Sequence, residues 1–381
     1  MARQPYLTAP ENNRTPRLFV AATRQNDGKT TTCLGLFSAL QQQFSRVGYI
    51  KPMGQRFVHY QNHLIDEDSL LFDKTYDIQT PIESMSPVAI DSTFTRRYLE
   101  DPETMYPMLV DKVLRAFDRS AYEKDIIIIE GSGHAGVGSI CNLSNAEVAR
   151  LVGAKAIIVA RGGIGQPVDE IALNKSLFDR HGVEVVGAIL NKVDPSKKDV
   201  IRRYTQKALE RMGVPLLGII PTAASLSFPN MAQVVETVEG RWLNAQSSGQ
   251  HNRILNVVVG AMTAKSLIDY IKPGVLVITP GDRDDVLLLT IAACSVTGHQ
   301  PLAGIVLTSN ILPSPHIMEM IAQTNIPVVI SHDESYTVAS RINSMTVKTQ
   351  PEDEDKIPLI KKLILENVDI ETLIKSLRLP S

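Results

Sequence analysis

The sequence has little of what secreted or membrane-spanning proteins need. Its 381 residues include three cysteines, Cys33, Cys141 and Cys294, which are odd in number and widely separated, so they form neither a disulfide framework nor a zinc pair. Apolar runs such as 126–129 and 286–289 are short, whereas a transmembrane helix needs about 18 consecutive apolar residues. The polar N-terminus also lacks the apolar core of a signal peptide. We therefore expect reduced thiols, no membrane segment and a cytoplasmic location.

Neither sign of charge is in excess. The chain has 39 Lys+Arg against 41 Asp+Glu, for a net charge of -2. Binding to nucleic acid or to an anionic membrane usually depends on a basic excess or a basic stripe, so neither partner is expected. At about 100 to 200 residues per domain, the length predicts two domains or three.

Short β-branched runs alternate with helix-length segments along the first two-thirds of the chain. The runs are apolar on both faces, which is typical of buried parallel strands. They predict strands at 18–22, 47–50, 126–129, 156–159, 185–190 and 216–220. The segments between them predict helices at 30–43, 107–119, 145–151, 168–180 and 199–212. This alternation predicts an α/β fold with a doubly wound, mostly parallel sheet.

A second α/β pattern begins after a polar segment at 239–252, EGRWLNAQSSGQHN, whose composition predicts a linker. The predicted strands are 254–259, 275–279, 303–307 and 326–330, and the predicted helices are 264–271, 284–297, 315–323 and 336–343. We therefore divide the chain into a polar tail (1–16), a first domain (17–238), the linker (239–252) and a second, smaller α/β domain (253–381) that includes closing helices at 358–377.

The strongest chemical signal is the segment ATRQNDGKTT at 22–31, which directly follows the first predicted strand and opens a helix. Backbone N–H groups and the positive end of the helix dipole favour anions at such a place. Lys29 adds a charge for the β- and γ-phosphates, and the Thr30 hydroxyl is a magnesium ligand, so the segment predicts a P-loop. The usual first glycine is absent, and Ala22 or Thr23 takes its place. The predicted nucleotide-binding residues are Asn26, Asp27, Gly28, Lys29, Thr30 and Thr31.

Three more charged groups follow predicted strands. Lys51 comes directly after 47–50, the acidic cluster 66–68 contains Asp68, and Glu130 ends the isoleucine run 126–129. Ligands of open α/β sheets bind at the carboxyl ends of the strands. Taken alone, Lys51 is better explained as a residue leaving the core for water, and the acidic cluster as a solvated helix start. A carboxylate at the tip of a buried strand beside a P-loop holds magnesium or orients water, so Glu130 is predicted to be functional.

The sequence Asn191-Lys192-Val193-Asp194 ends the strand predicted at 185–190, and 218–221 ends the last strand of the first domain. The polar groups of 191–194 can form hydrogen bonds to the edge of a purine base. A strand followed by an ordinary turn explains the same residues, and both interpretations stay open.

In this order, Gly-Lys-Thr, Lys-Pro-x-Gly, Glu-Gly-x-Gly and Asn-Lys-x-Asp resemble the dethiobiotin synthetase and cobyrinic acid amide synthase group of P-loop proteins, over about residues 17–221. The resemblance implies a P-loop NTPase fold that binds ATP and Mg²⁺ through Lys29 and Thr30. It also implies that Asn191 lies near the adenine. Departures fall on the substrate side, because Gln25-Asn26 replaces a Thr-Glu pair and Gln55 follows the Lys-Pro motif. No cysteine-centred glutamine amidotransferase site is evident.

The same resemblance implies roles for the charged groups. Lys51 contacts the transferred phosphate and a substrate carbamate, which makes Lys29, Lys51 and Glu130 the predicted catalytic residues. Thr30, Asp68 and Glu130 are the predicted magnesium ligands.

The predicted second domain is similar to the DRTGG domain at Gly281-Asp282-Arg283, although 284–286 replaces the Thr-Gly-Gly portion. A P-loop domain followed by a DRTGG domain resembles the N-terminal, regulatory half of long bacterial phosphotransacetylases. Asp282 is a plausible helix cap, and Arg283 beside a helix N-terminus is an alternative anion site.

Three functional hypotheses follow. The first is an ATP-dependent enzyme that hydrolyses ATP or transfers a phosphoryl group to a small carboxylate, carbamate or amine substrate. The second is a nucleotide-sensing regulatory protein that contacts an acyltransferase or another metabolic enzyme. The third, a GTPase based on 191–194, is weaker because the P-loop lacks its first glycine. The resemblance also implies a homodimer.

Overall fold

The computed structural model describes residues 6–297 and 302–377. The chain divides into two compact units. Unit 1 comprises Met1–Ala223 and Thr349–Ser381, and unit 2 comprises Ala224–Lys348. No helix within the described residues is long and apolar enough to cross a membrane.

Unit 1 is built on a parallel sheet. Its strands are β1 (Arg17–Ala22), β2 (Val47–Ile50), β3 (Met53–Gly54), β4 (Phe57–Tyr60), β5 (His63–Asp66), β6 (Val88–Ala89), β7 (Ile126–Glu130), β8 (Lys155–Arg161), β9 (Val185–Val193) and β10 (Leu216–Pro221). Six of them form the sheet in the order β10-β9-β8-β1-β7-β2, and every pair is parallel. All residues of β1, β2 and β7 are buried, as expected for strands covered on both faces. The predicted fold class is confirmed, and so are the six predicted strands.

Helices connect these strands. They are α1 (Lys29–Leu40), α2 (Glu67–Tyr76), α3 (Ile82–Met85), α4 (Phe94–Glu100), α5 (Pro102–Ala121), α6 (Asn145–Leu151), α7 (Gln166–Arg180) and α8 (Lys198–Glu210). Local capping explains several helix starts. The Asp101 carboxylate accepts from the Thr104 N–H at the start of α5, and Pro102 occupies its first turn. Ser144 caps α6 in the same way, accepting from Glu147 N–H.

The segment between β2 and α5 was not predicted in detail. Strands β4 and β5 form an antiparallel hairpin. Its turn residues Gln61 and Asn62 both have positive φ, 48° and 65°, as type I′ hairpin turns require. The hairpin brings the chain back at Asp66, where α2 begins, and so places that helix start beside the end of β2.

Unit 2 has a second sheet. Its strands are β11 (Arg241–Asn244), β12 (Asn256–Val259), β13 (Val275–Pro280), β14 (Leu302–Thr308) and β15 (Val328–Ile330), and its helices are α9 (Met231–Thr237), α10 (Gln246–Gly249), α11 (Ala264–Leu267), α12 (Asp284–Thr297), α13 (Pro315–Ala322) and α14 (Ser335–Ser344). The order is β11-β15-β14-β13-β12, with β12 to β15 parallel and β11 antiparallel. Apolar residues of α11, α12 and α13 cover one face of this sheet. Those of α9 and α14 cover the other.

The predicted linker at 239–252 is part of unit 2 in the structure. It contains β11 and α10, and Trp242 pairs with Val329 of β15. The Asn244 side-chain amide donates to the carbonyls of Ile321, Thr324 and Ile326 at 2.9, 3.0 and 2.9 Å. The segment therefore forms an edge strand, and its polar Asn244 side chain donates hydrogen bonds to nearby backbone carbonyls, so the segment is not a solvated connection.

The closing helices also differ from the predicted division, because α15 (Lys356–Asn367) and α16 (Ile370–Leu377) belong to unit 1. Helix α15 packs on α1 so closely that a Cβ atom on Gly35 would lie 2.1 Å from Ile364 Cγ1. The Asp369 N–H donates to Leu217 O of β10 at 2.8 Å. The apolar contact with α1 and the backbone hydrogen bond to β10 place these helices against the core of unit 1.

Candidate functional site

The phosphate loop, residues 22–31, joins β1 to α1. Gly28 is the residue before the helix and has a φ of 92°, a left-handed conformation that favours glycine. The Asp27 carboxylate, which is buried, accepts from Thr23 Oγ1 at 2.8 Å and from Arg24 N–H at 2.9 Å. These bonds close the loop at the position where P-loops usually have their first glycine. Asp27, predicted to bind nucleotide, thus uses its side chain inside the loop.

Two side chains from the end of β9 support the loop from outside. Asn191 Nδ2 donates to Asp27 O at 2.9 Å, and Lys192 Nζ donates to Asn26 O at 2.7 Å. Asn191 is buried, and a Cβ atom on Gly28 would lie 2.0 Å from its Nδ2. The structure therefore places Asn191 against the loop backbone, where glycine is needed to accommodate it.

Glu130, at the end of β7, receives two hydroxyl groups. Thr30 Oγ1 donates to Glu130 Oε1 at 2.7 Å, and Tyr49 Oη donates to Glu130 Oε2 at 3.0 Å. Burial raises the pKa of Glu130, and the charge of Asp68 raises it further. Burial and the charge of Glu130 also raise the pKa of Tyr49, so Tyr49 stays a neutral donor. The predicted magnesium ligands Thr30 and Glu130 are therefore in direct contact.

Lys51 lies in a buried ion pair with Asp66 and Asp68. It is 7% exposed, and its Nζ donates to Asp66 Oδ1 at 2.8 Å and to Asp68 Oδ2. Asp66 also caps α2 by accepting from Asp68 N–H at 3.0 Å. Burial lowers the pKa of Lys51, but the charges of Asp68 and Asp66 outweigh burial and raise it, so the ammonium stays charged. Lys51 does not leave the core for water, and the two aspartates are not solvated, contrary to the simpler interpretations.

The predicted catalytic and metal residues form one cluster. Besides the Thr30–Glu130 and Lys51–Asp68 contacts, the charges of Asp68, Lys51 and Lys29 all act on the pKa of Glu130. The cluster lies where β1, β7 and β2 end, on one side of the phosphate loop. Asn191 lies on the other side, near the end of β9.

The donor set of this cluster fits Mg²⁺. Magnesium prefers oxygen ligands and is usually held by one or two carboxylates together with substrate phosphates and water. Thr30, Asp68 and Glu130 offer a hydroxyl and two carboxylates. No group of three or more His, Cys, Asp or Glu within the described residues is arranged to hold a metal ion.

Tyr49 was not predicted from the sequence, and Asp66 was considered only as a member of the acidic cluster 66–68. A signal for Tyr49 was present, since side chains two apart on a strand share a face and Tyr49 stands two residues before Lys51. Asp66 is 15 positions from Lys51 and reaches it only through the β4–β5 hairpin. No local pattern predicts that contact.

In unit 2, Arg283 is occupied by its own surroundings. Its guanidinium donates to Asp285 at 2.8 and 2.9 Å, to Gly260 O at 2.9 Å and to Met262 O at 3.0 Å. These bonds tie the loop after β12 to the start of α12. They favour a structural role over the anion site considered from the sequence.

Two family profiles match the chain. One, AAA_26, described as "AAA domain", matches residues 16–230. The other, described as "DRTGG domain", matches residues 233–345. The two matches follow each other along the chain in the order expected from its motifs.

Curated relatives cover nearly the whole chain. Phosphate acetyltransferase of Pseudomonas aeruginosa is 28% identical over 372 residues, which are 93% of this chain and 51% of the relative. Phosphate acetyltransferase of Nitrosomonas europaea is 26% identical over 368 residues, 94% of this chain and 51% of the relative. The chain therefore spans about half the length of these relatives.

The matches among solved structures are more distant than the curated relatives. The MinD cell division protein of Aquifex aeolicus is 14% identical and covers 56% of this chain and 84% of its own, with a TM-score of 0.35. The CBS and DRTGG domains of the regulatory region of Clostridium perfringens pyrophosphatase, solved with the activator diadenosine tetraphosphate, are 19% identical. That match covers 48% of this chain and 86% of the solved chain, with a TM-score of 0.27.

Proposed function

This chain belongs to the AAA_26 family of AAA domains, with a DRTGG domain following, and on that premise we propose that unit 1 binds a nucleoside triphosphate with Mg²⁺. We further propose that the bound nucleotide regulates an acyltransferase of the phosphate acetyltransferase type. The observation that supports nucleotide binding is the phosphate loop with Thr30 Oγ1 2.7 Å from Glu130 Oε1. ATP is the nucleotide implied by the resemblance to the dethiobiotin synthetase group.

In this proposal the phosphate loop binds the phosphates, and the neighbouring carboxylates bind the metal ion. Backbone N–H groups at the start of α1 donate hydrogen bonds to the phosphate oxygens, and Lys29 offsets the charge of those oxygens. Thr30, Asp68 and Glu130 would hold Mg²⁺, which when bound polarises phosphoryl oxygens and offsets their charge. Tyr49 keeps Glu130 oriented by donating to its second oxygen.

The regulatory part of the proposal rests on the relatives. The matched phosphate acetyltransferases are about twice as long as the matched region. We propose that acetyl transfer belongs to the remainder of such an enzyme, in the same polypeptide or as a separate partner. The altered substrate side of the site, with Gln25 and Asn26 in place of a Thr-Glu pair, favours sensing over synthesis.

A second candidate function is ATP hydrolysis or phosphoryl transfer to a small carboxylate, carbamate or amine. It is favoured by Lys51, a charged ammonium in the same cluster as Glu130 and the phosphate loop. An ammonium at this place stabilises the charge of a transferred phosphoryl group.

Nucleotide binding is tested by thermal unfolding of the purified chain with Mg²⁺ and either ATP or GTP. A ligand at 100 times its Kd adds about 2.7 kcal/mol of stability, so the melting temperature should rise by several degrees. Lys29→Ala should abolish the rise, whereas Lys112→Ala, which changes an exposed lysine of α5, should keep it. If neither nucleotide raises the melting temperature, the proposal is wrong.

Turnover separates the two candidate functions. The chain is incubated with ATP, Mg²⁺ and small carboxylates, carbamates or amines, and ADP release is measured. The enzyme hypothesis is supported if a substrate stimulates ADP release and if Lys51→Ala and the charge-retaining Lys51→Arg both abolish that release. Circular dichroism checks that both variants are folded. Tight binding without turnover, together with a nucleotide-dependent change in the rate of an added phosphate acetyltransferase, supports regulation.

A further inference from the structure

Two buried carboxylates share the Lys51 ammonium. Lys51 Nζ donates to Asp66 Oδ1 at 2.8 Å and to Asp68 Oδ2, and all three side chains are buried. Under the proposed function, on which this inference rests, Asp68 is also a ligand of Mg²⁺. An ammonium that is hydrogen-bonded to a carboxylate oxygen occupies the place of a metal ion and repels a second cation. Metal binding by Asp68 therefore requires that its bond to Lys51 breaks.

Asp66 is the partner that Lys51 keeps. Its backbone N–H donates to Ser86 Oγ at 2.9 Å, and its carboxylate caps α2 through the Asp68 N–H. Asp66 Oδ2 is buried and, within the described part of the chain, has no hydrogen-bond partner. A Cβ atom on Gly54 would lie 2.6 Å from this oxygen, so glycine gives the carboxylate its place. Because a buried carboxylate without an opposite charge is costly, Asp66 depends on the Lys51 ammonium.

Asp68 is the partner that Lys51 can exchange. It lies in the first turn of α2, and among the neighbouring charges it acts most strongly on Glu130. Because these two carboxylates repel each other, both of them attract a divalent cation that lies beside Asp68. An ammonium has three donors, so Lys51 can keep Asp66 while a phosphate oxygen replaces Asp68. The phosphates of a bound nucleotide would supply that oxygen.

We infer that the Lys51 ammonium takes the place of the metal ion until a nucleotide binds: it masks Asp68 from divalent cations and releases Asp68 to a phosphate-bound metal ion. Asp66 is a positioning residue that keeps Lys51 beside the site during this exchange. As a consequence, unit 1 takes up Mg²⁺ and nucleotide together, and Mg²⁺ alone does not load the site.

The first test measures binding of Mn²⁺ alone, as a paramagnetic substitute for Mg²⁺, to the whole chain by electron paramagnetic resonance. Lys51→Met removes the ammonium and leaves two carboxylates to the metal ion, so it should bind Mn²⁺ at least about ten-fold more tightly than the wild-type chain. Lys51→Arg keeps the positive charge and should bind Mn²⁺ as weakly as the wild type. Lys74→Met, which removes an exposed lysine of α2, is the matched control. Adding Asp68→Asn to Lys51→Met should abolish the gain.

Mn²⁺ should also raise the urea midpoint of Lys51→Met and leave that of the wild-type chain unchanged, because a ligand stabilises only the chain that binds it. If Lys51→Met binds Mn²⁺ no more tightly than the wild type, the inference is wrong. It is also wrong if Lys51→Met stays unfolded in excess Mn²⁺, since a metal ion that replaces the ammonium should restore folding.

The second test examines the positioning role of Asp66 with a fluorescent ATP analogue, whose Kd is measured with Mg²⁺ and with EDTA. The ratio of the two Kd values gives the contribution of the metal ion to nucleotide binding. Asp66→Asn leaves the ammonium with Asp68 as its only charged partner, so Mg²⁺ should strengthen binding less than it does in the wild type. Equal changes in both Kd values would show that Asp66 serves only the fold, against the inference.

Failure of the inference and failure of the proposed function give different results. If nucleotide binds with Mg²⁺ but Lys51→Met gains no affinity for Mn²⁺, nucleotide binding stands and the masking of Asp68 is overturned. If no nucleotide binds but Lys51→Met gains that affinity, the proposed function is wrong and the masking of Asp68 stands.

Discussion

Lys51 shows what a buried charge costs and what it needs. Moving an ammonium and two carboxylates out of water carries a desolvation penalty that their attraction only partly offsets. Asp66 and Asp68 are the groups that keep the Lys51 charge in place, and removing the ammonium would leave two buried carboxylates beside Glu130. A well-packed apolar cluster would serve stability as well or better. Retaining ions here is consistent with a phosphate site.

Lys51→Met is expected to destabilise the chain by about 3–5 kcal/mol, because breaking a buried pair leaves its partners unpaired. The measurement is the free energy of unfolding in urea. Lys74→Met is the matched control, because Lys74 is 41% exposed and 3.8 Å from Glu352. An exposed pair of that kind contributes at most about 1 kcal/mol. Equal stability of the two variants would contradict the buried pair.

The phosphate loop shows how a departure from a motif is compensated at single residues. Thr23 stands where a glycine is usual, and its hydroxyl donates to Asp27 within the loop. The motif predicted the loop, since Gly28 and Lys29 follow a buried strand and open a helix. The motif did not predict that the Asp27 carboxylate forms hydrogen bonds within the loop, because the partners of a side chain depend on the folded conformation of the loop.

Among the elements, α15 packs on α1, the helix that begins at the phosphate loop. Gly35 makes this approach possible. A Cβ atom there would lie 2.1 Å from Ile364 Cγ1 and 3.1 Å from Ile360 O. The glycine is needed for space and not for an unusual backbone angle.

Gly35→Ala should therefore destabilise the chain, although alanine is the better helix former by about 1 kcal/mol. The overlap with Ile364 should cost more than that gain, for a net loss of roughly 1–3 kcal/mol. The double variant Gly35→Ala with Ile364→Ala should lose less than the sum of the single changes. Ser38→Ala on the same helix is the control, and urea unfolding is the measurement. A more stable Gly35→Ala chain would show that α15 does not pack as described.

On the scale of the whole molecule, the chain leaves unit 1 after residue 223 and returns to it at residue 349. Among the described residues, the core clusters of unit 2 consist of residues of unit 2 alone. Unit 1, in contrast, needs the returning segment, because Ile360, Ile364 and Leu373 are at most 1% exposed in it.

Residues 224–348 alone should therefore fold cooperatively, whereas residues 1–223 alone should be less stable than unit 1 as a whole. Joining 1–223 to 349–381 through a short Gly-Ser linker should restore that stability, because α15 and α16 again cover α1 and β10. Urea unfolding followed by circular dichroism measures all three chains. Residues 1–223 unfolding at the same urea concentration as the joined chain would show that the returning helices are dispensable.

The sequence by itself determined the parallel sheet, the phosphate loop and the edge at which the site lies. These follow from signals confined to neighbouring residues: apolar strands buried on both faces, a Gly-Lys-Thr segment opening a helix, and charged residues at strand ends. Lys51 and Glu130 were predicted at the right edge for this reason, because parallel strands end on the same side of a sheet.

Only the tertiary structure decided which distant groups meet. The hairpin brings Asp66 to Lys51, Tyr49 of β2 reaches Glu130 on the neighbouring strand β7, and the closing helices return to unit 1. Polar composition at 239–252 could not distinguish a linker from an edge strand, since the same amide groups serve water or buried carbonyls. These contacts join residues far apart along the chain, and their free energy exists only once folding has brought both partners together.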